Sequence, residues 1–417
     1  MLVCQLFLQP VVEMFAELAP GAQGVTVSTV LSEYGECGRR RLRRAIEQWN
    51  AFLLLDLNDM RGGPDGSGQV GLGSSFFACT DCETEGMFIR VYGKCCYPGA
   101  VRFLESADPL RAQYAQIFHS WPELARMAHE PMPTIISDSY VKAAMEAAQA
   151  SPYPSSSTLH PCHTMGFKYK SVFVDQLPYW QPRTQAARDI SHTARNRMLN
   201  ILKLWQGKGN MKTTAAKMEF ENSKGRFQEY APRMEQRGQK TVTVFPRPPW
   251  QAKPSEIQFA MALLTYVRLP QGLHMPNFFE DKLTMADASL FFSGVGLFLL
   301  DILASIAPDQ RNAFQAEMSA WSKVYHRKFS KSKLLDDHIE MARAVTLCEM
   351  ALPMVDAGMP RHHGLEIFLP EHGHVARFGS PLFSHLDPFE TYLQCFVLLF
   401  FFSSLYCLFV YVFVLCG

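Results

Sequence analysis

Residues Arg39–Asn58 read RRRLRRAIEQWNAFLLLDLN. The second half of this stretch decides the fold class. Phe52–Leu55 is a short apolar run that ends in Asp56 and precedes the turn-rich RGGPDGSGQVGLG, which predicts a buried strand delivering a carboxylate at its C-terminal edge. Such a carboxylate either caps the following turn or serves metal chemistry, and the segment alone leaves both readings open. The first half is basic. Arg39, Arg40, Arg41, Arg43 and Arg44 form a cluster that could track phosphates, although a run of this kind is also an ordinary solvated face.

Upstream, VVEMFAEL has helical spacing and Gly21–Val30 carries the β-branched run VTVSTV, which predicts a strand. Downstream, Cys79-Thr80-Asp81-Cys82 has metal-ligand spacing, and Cys95-Cys96 follows closely. These four thiols predict a structural Zn2+ site, with His119 as a further candidate ligand; an isolated C-x-x-C pair can also be inert. Eleven cysteines are an odd number, and Met1–Pro10 lacks the basic start and small-residue cleavage site of a secretory signal. A reducing compartment is the expectation.

The 417 residues, 48% of them hydrophobic, suffice for more than one core. A net charge of +1 excludes a chain basic throughout, so contact with nucleic acid must come from local patches. Besides the arginine cluster, the Lys203–Lys240 region and KVYHRKFSKSK from Lys323 qualify.

The expected organisation has six parts. Residues 1–104 hold the strand segment and the cysteine loop, and 105–150 are helical. Residues 151–240 comprise the Pro/Ser-rich linker SPYPSSSTLHP and the amphipathic helix of ARDISHTARNRMLNILKLW. On that helix Asp189 and His192 lie three apart and share a face. A proline-rich connector, Thr241–Pro254, opens a helical region through residue 352 in which ASLFFSGVGLFLLDILASI is the most apolar piece and reads as a core helix. Residues 353–394 contain GSPLFSHLDPFETYLQ, and 395–417 form an uncharged tail. Twenty-two residues, Cys395–Cys416, are long enough to cross a bilayer as a helix, which would make the protein tail-anchored in a membrane. The same Phe, Leu, Val, Ser, Cys and Tyr alphabet is what translated thymine-rich noncoding sequence would give.

Four separated blocks carry a family resemblance. They are LQPVVEMFAEL with RRRLRRAIEQWNAFLLLDLNDMRG and FFACTDC; SVFVDQLPYW with Asp189-Ile190-Ser191-His192; TLCEMALP near Leu347; and ARFGSPLFSHLDPFETYL. In order and spacing the chain resembles the transposases of CACTA (En/Spm-like) DNA transposons, in the degenerate form common in fungi. The resemblance implies an α/β (mixed α+β) chain: an incomplete ribonuclease H-like catalytic fold interrupted by a large, mainly α-helical insertion. It implies the DDE reaction, in which three carboxylates gather Mg2+ ions for in-line phosphodiester displacement. Asp56 matches the second carboxylate and Glu390 the final glutamate. Asp189 and His192 match an accessory motif, and Cys79 and Cys82 a zinc pair.

The departures are as specific. Ser191 replaces a methionine, Thr391 stands where an arginine is common, and His372 and His374 are more tightly spaced than usual. The first catalytic aspartate belongs upstream of the start, so the expectation is a copy truncated at both ends and inactive by itself. It would be nuclear and able to bind DNA weakly and nonspecifically. The alternative is a tail-anchored membrane protein whose soluble part binds a protein partner.

Overall fold

The structure is a computed structural model. It describes residues 13, 76, 77, 79, 82–150, 166, 167, 172–177, 190–209, 215–267, 274–326 and 334–357, together with the course of strands at 25–34, 40–58, 186–188 and 409–416. In chain order the elements are β1 (Val25–Tyr34), β2 (Arg40–Asn58), β3 (Met87–Ile89), β4 (Lys94–Cys96), a 3-10 turn (Ala100–Phe103), α1 (Pro109–Ile117), α2 (Pro122–Met127), α3 (Asp138–Ala150), α4 (Val172–Gln176) and β5 (Ala186–Arg188). Then follow α5 (Ile190–Trp205), α6 (Ala215–Ser223), β6 (Arg233–Arg237), β7 (Lys240–Val244), α7 (Pro254–Leu264), α8 (Met285–Leu290), a π turn (Phe291–Val295), α9 (Gly296–Ile302), α10 (Pro308–His326), α11 (Leu334–Ala351), α12 (Met354–Ala357) and β8 (Phe409–Cys416). The chain is thus a mixed α/β protein.

Two compact units divide it: Met1–Val70 with Ser137–Arg188 and Ser403–Gly417, and Gly71–Ile136 with Asp189–Phe402. These units cut across the six expected parts. The cysteine loop belongs with the helices rather than with the sheet.

The first unit is built on β2. Its N-terminal half pairs antiparallel with β1, Tyr34 opposite Arg40 through Val25 opposite Trp49. Its C-terminal half pairs antiparallel with β8, with a register shift between Leu53 and Leu55 that leaves Leu54 as an extra residue, the mark of a bulge. The strand therefore begins at Arg40, twelve residues before the apolar run. β1 supplies the reason, because its β-branched Val25, Val27, Thr29 and Val30 favour extended backbone and hold the polar half of β2 in a ladder. At the end of the tail, Phe409–Cys416 form a strand on β2. Residues 395–408 of the tail lie outside the described residues.

The second unit is a helical core. α10 and α11 lie side by side, and α11 is buried around most of its circumference, with Asp337, His338, Met341, Ala342, Val345, Thr346, Cys348 and Glu349 all inside. Trp205, Trp250, Trp321, Tyr114 and Phe118 are among the largest buried groups in this core. The apolar run expected as one core helix is interrupted. Gly294 at φ 147° sits inside the π turn between α8 and α9, yet Phe291, Phe292, Leu299 and Leu300 are buried, and Phe292 stacks on Trp321 at 5.5 Å between ring centroids. Met285–Ile302 is long and apolar enough to cross a membrane by length and composition alone. The expected connector from Thr241 begins instead as β7, because TVTV is an alternating β-branched run that pairs with β6.

Candidate functional site

Asp56 lies two residues from the end of β2, with a strand on each edge: Ala186 of β5, running parallel, and Val410 of β8, running antiparallel. The predicted strand, Phe52–Leu55, lies within β2, which extends well beyond it on the N-terminal side. Four of the five clustered arginines lie in the β1–β2 ribbon, Arg40 opposite Tyr34, Arg41 opposite Glu33, Arg43 opposite Leu31 and Arg44 opposite Val30. His192 falls in the first turn of α5. Arg39, Asp189 and Glu390 lie outside the described residues.

The cysteines separate into a pair and two singles. Cys79 and Cys82 bring their sulfurs to 3.5 Å, and the Cys82 thiol lies 3.1 Å from Thr84 Oγ1. A backbone bridge between Cys82 and Ile135 and the Glu83 N–H to Thr134 carbonyl bond of 2.9 Å hold this loop. Cys95 and Cys96 are consecutive on β4, so the pleat turns them to opposite faces and only one of them could join a common ion. Burial pushes the Cys96 thiol up to about 12 and raises that of Cys95, which favours the neutral thiol over the thiolate that zinc requires. Among the described residues no three His, Cys, Asp or Glu side chains are grouped to hold a metal ion. His119 is engaged through Nδ1 with the Gln116 carbonyl at 2.8 Å and through Nε2 with Ser120 Oγ at 2.9 Å.

The densest polar chemistry lies in the helical core, at positions to which the sequence reading assigned no site role. Glu349 on α11 is fully buried and accepts the N–H groups of Gly99 and Ala100 and the Tyr114 hydroxyl, at 3.0 to 3.2 Å. Gly99 is at φ 105°, a conformation glycine adopts freely, and this aims two successive N–H groups at one carboxylate. Burial raises the Glu349 carboxyl to about 7, against the lowering effect of its three donors and of Arg102. A titratable carboxyl near neutrality resembles a general base, but this one has no exposed surface from which to reach a substrate. Its work is to cap the 3-10 turn from a distant helix.

Two further buried carboxylates do similar work. Glu221 accepts from Tyr92, from Arg226 Nη1 at 2.8 Å and from the Met354 N–H at 2.9 Å. Arg226 also donates through Nη2 to the carbonyls of Glu349, Met350 and Leu352, closing the C-terminal end of α11, and lies over the rings of Phe118 and Phe227 at 4.9 and 4.8 Å. Arg197 on α5 pairs with Glu317 on α10 through both Nε and Nη2, and reaches the Asp356 carbonyl at 3.2 Å. Burial alone would lower the Arg197 pKa; the adjoining Glu317 outweighs it and holds the guanidinium charged. The weak signals for these groups were TLCEMALP around Glu349 and the polar residues embedded in the apolar face of α5.

In comparisons with protein-family models, with curated proteins and with solved structures, nothing matches this chain.

Proposed function

We propose that the chain derives from a DDE-type DNA transposase of the CACTA group and retains nonspecific binding of DNA without strand cleavage. The observation that supports this most is the position of Asp56, near the C-terminal end of an interior strand with the parallel β5 beside it. Ribonuclease H-like enzymes present carboxylates from such strand ends, and the resemblance assigns Asp56 that role. Of the three carboxylates the chemistry draws around Mg2+, the resemblance supplies two, Asp56 and Glu390. The departures at Ser191 and Thr391 count against the reaction, so cleavage is not part of the proposal. Binding falls to the ribbon that carries Arg40, Arg41, Arg43 and Arg44, with Arg39 preceding it. A two-stranded ribbon is one of the elements that a DNA major groove admits.

The test is an end-labelled duplex incubated with the full chain and Mg2+, alongside Asp56→Asn and Glu390→Gln. Equal binding by all three proteins and uncut duplex throughout is the expected result. Magnesium-dependent cleavage lost in both variants would restore the catalytic reading, and failure to bind duplex at low salt would remove the DNA-binding one.

A further inference from the structure

The basic residues of the Lys203–Lys240 region lie in very different surroundings. Arg226 is buried, whereas Arg233, Arg237 and Lys240 are on the β6–β7 hairpin. Every residue of this hairpin's strands is exposed except Val244, which is half-buried. Among the described residues the sheet has two strands and no third, so both of its outer edges are open. An isolated two-stranded hairpin is marginal in water, and here no apolar face is buried beneath it: Met234 is 68% exposed and Val242 39%. The turn at Gly238, φ 66°, stands in open space, with nothing within 4 Å of where a Cβ would be.

The charges on this arm are arranged for an anion. Arg237 lies directly opposite Lys240 across the turn, and like charges at opposed positions destabilise a strand pair. Alternation along the strands puts Arg233, Glu235 and Arg237 on the face shared by Val244, Val242 and Lys240, three cations against one acid. The acid does little to relieve them, because the Arg237–Glu235 bridge is 3.5 Å long and both side chains are at least half exposed. Strands of this length extend roughly 17 Å at 3.4 Å per residue, and a ribbon of two fits a major groove about 12 Å wide.

We propose that the β6–β7 hairpin is a second docking element, which lays Arg233, Arg237 and Lys240 against the phosphates of a nucleic-acid duplex. The inference rests on the DNA-binding reading above and adds to it a separate contact surface, outside the arginine cluster.

The experiment is a salt series of fluorescence anisotropy with a labelled random-sequence 30-base-pair duplex and the full chain. It compares the wild type, the triple variant Arg233→Gln/Arg237→Gln/Lys240→Gln, and Glu235→Gln. The triple variant should bind about tenfold more weakly, with a salt slope shallower by about 1 for each lost phosphate contact. Glu235→Gln should bind more tightly, a gain that damage to the fold could not produce. Unchanged affinity and slope in the triple variant would overturn the proposal and leave the DNA-binding reading standing. No duplex binding by the wild type at low salt would overturn both. A change in self-association of the triple variant on gel filtration, with DNA affinity intact, would assign the open hairpin edges to a second copy of the chain and overturn the proposal as well.

Discussion

Glu349 Oε2 accepts the backbone N–H of Gly99 at 3.0 Å, across 250 positions of sequence. Together with Tyr114 and Ala100 the pair ties α11 to the cysteine-bearing loop region and to α1, so the helical unit closes around a carboxylate with no exposed surface. Hydrogen bonds of this charged type contribute about 1.5–3 kcal/mol each when intact, and leaving their buried donors unmet costs at least as much.

Glu349 gives the protein a pH signature. Its carboxyl is raised by burial to about 7 from 4.5, so between those values the folded state binds a proton that the unfolded state has released. Stability from this group is full below pH 4.5, falls as pH rises through 7 and is constant above, a change of up to about 3 kcal/mol. Urea denaturation of wild type and Glu349→Gln across pH 4.5 to 8 should show this decline in the wild type and its absence from the difference-corrected curve of the variant. Parallel curves would mean that Glu349 does not titrate in this window.

Arg197 and Glu317 form a buried pair with side chains 1% and 2% exposed. Removing one partner strands the other charge, so Arg197→Met should cost about 3–5 kcal/mol. The double variant Arg197→Met/Glu317→Leu should recover much of that loss, because no uncompensated charge remains. A double-mutant cycle from thermal melts checks the coupling, and simple additivity would show that the pair is not the unit described here.

Gly296 marks a close approach within the helical core. A Cβ there would come within 2.8 Å of Met318 Sδ and 2.9 Å of two Phe291 ring atoms. Gly296→Ala should therefore destabilise by about 1–3 kcal/mol despite alanine's better helix propensity. Gly238→Ala meets no neighbour and serves as the contrast, its cost confined to the strain of φ 66°.

The sequence made some elements legible because their signal is local. α5 places Ile190, Ala194, Met198, Ile201 and Trp205 at helical spacing, and all are buried. β1 announced itself through VTVSTV. The first half of β2 did not, since its charged residues show no alternation and only pairing with β1 keeps them extended. β7 was concealed by the prolines that follow it. Glu349 and Arg226 were the hardest to see. A buried glutamate is recognised by its partners, and Gly99 and Tyr114 lie more than 200 residues away. Arg226 stands in a lysine- and arginine-rich stretch that looks solvated, and only the fold shows it against Phe118 and Phe227. Of the two candidate carboxylates, Asp56 lies on β2 and Glu390 lies outside the described residues.

The central claim is that this chain still binds DNA through phosphate contacts. The most direct test is the affinity of the full wild-type chain for a random-sequence duplex, measured from 50 to 200 mM salt. The account predicts measurable binding at the low end that weakens linearly in log–log form, with little preference between sequences. Binding that is absent at 50 mM salt, or that does not change with salt, would contradict it.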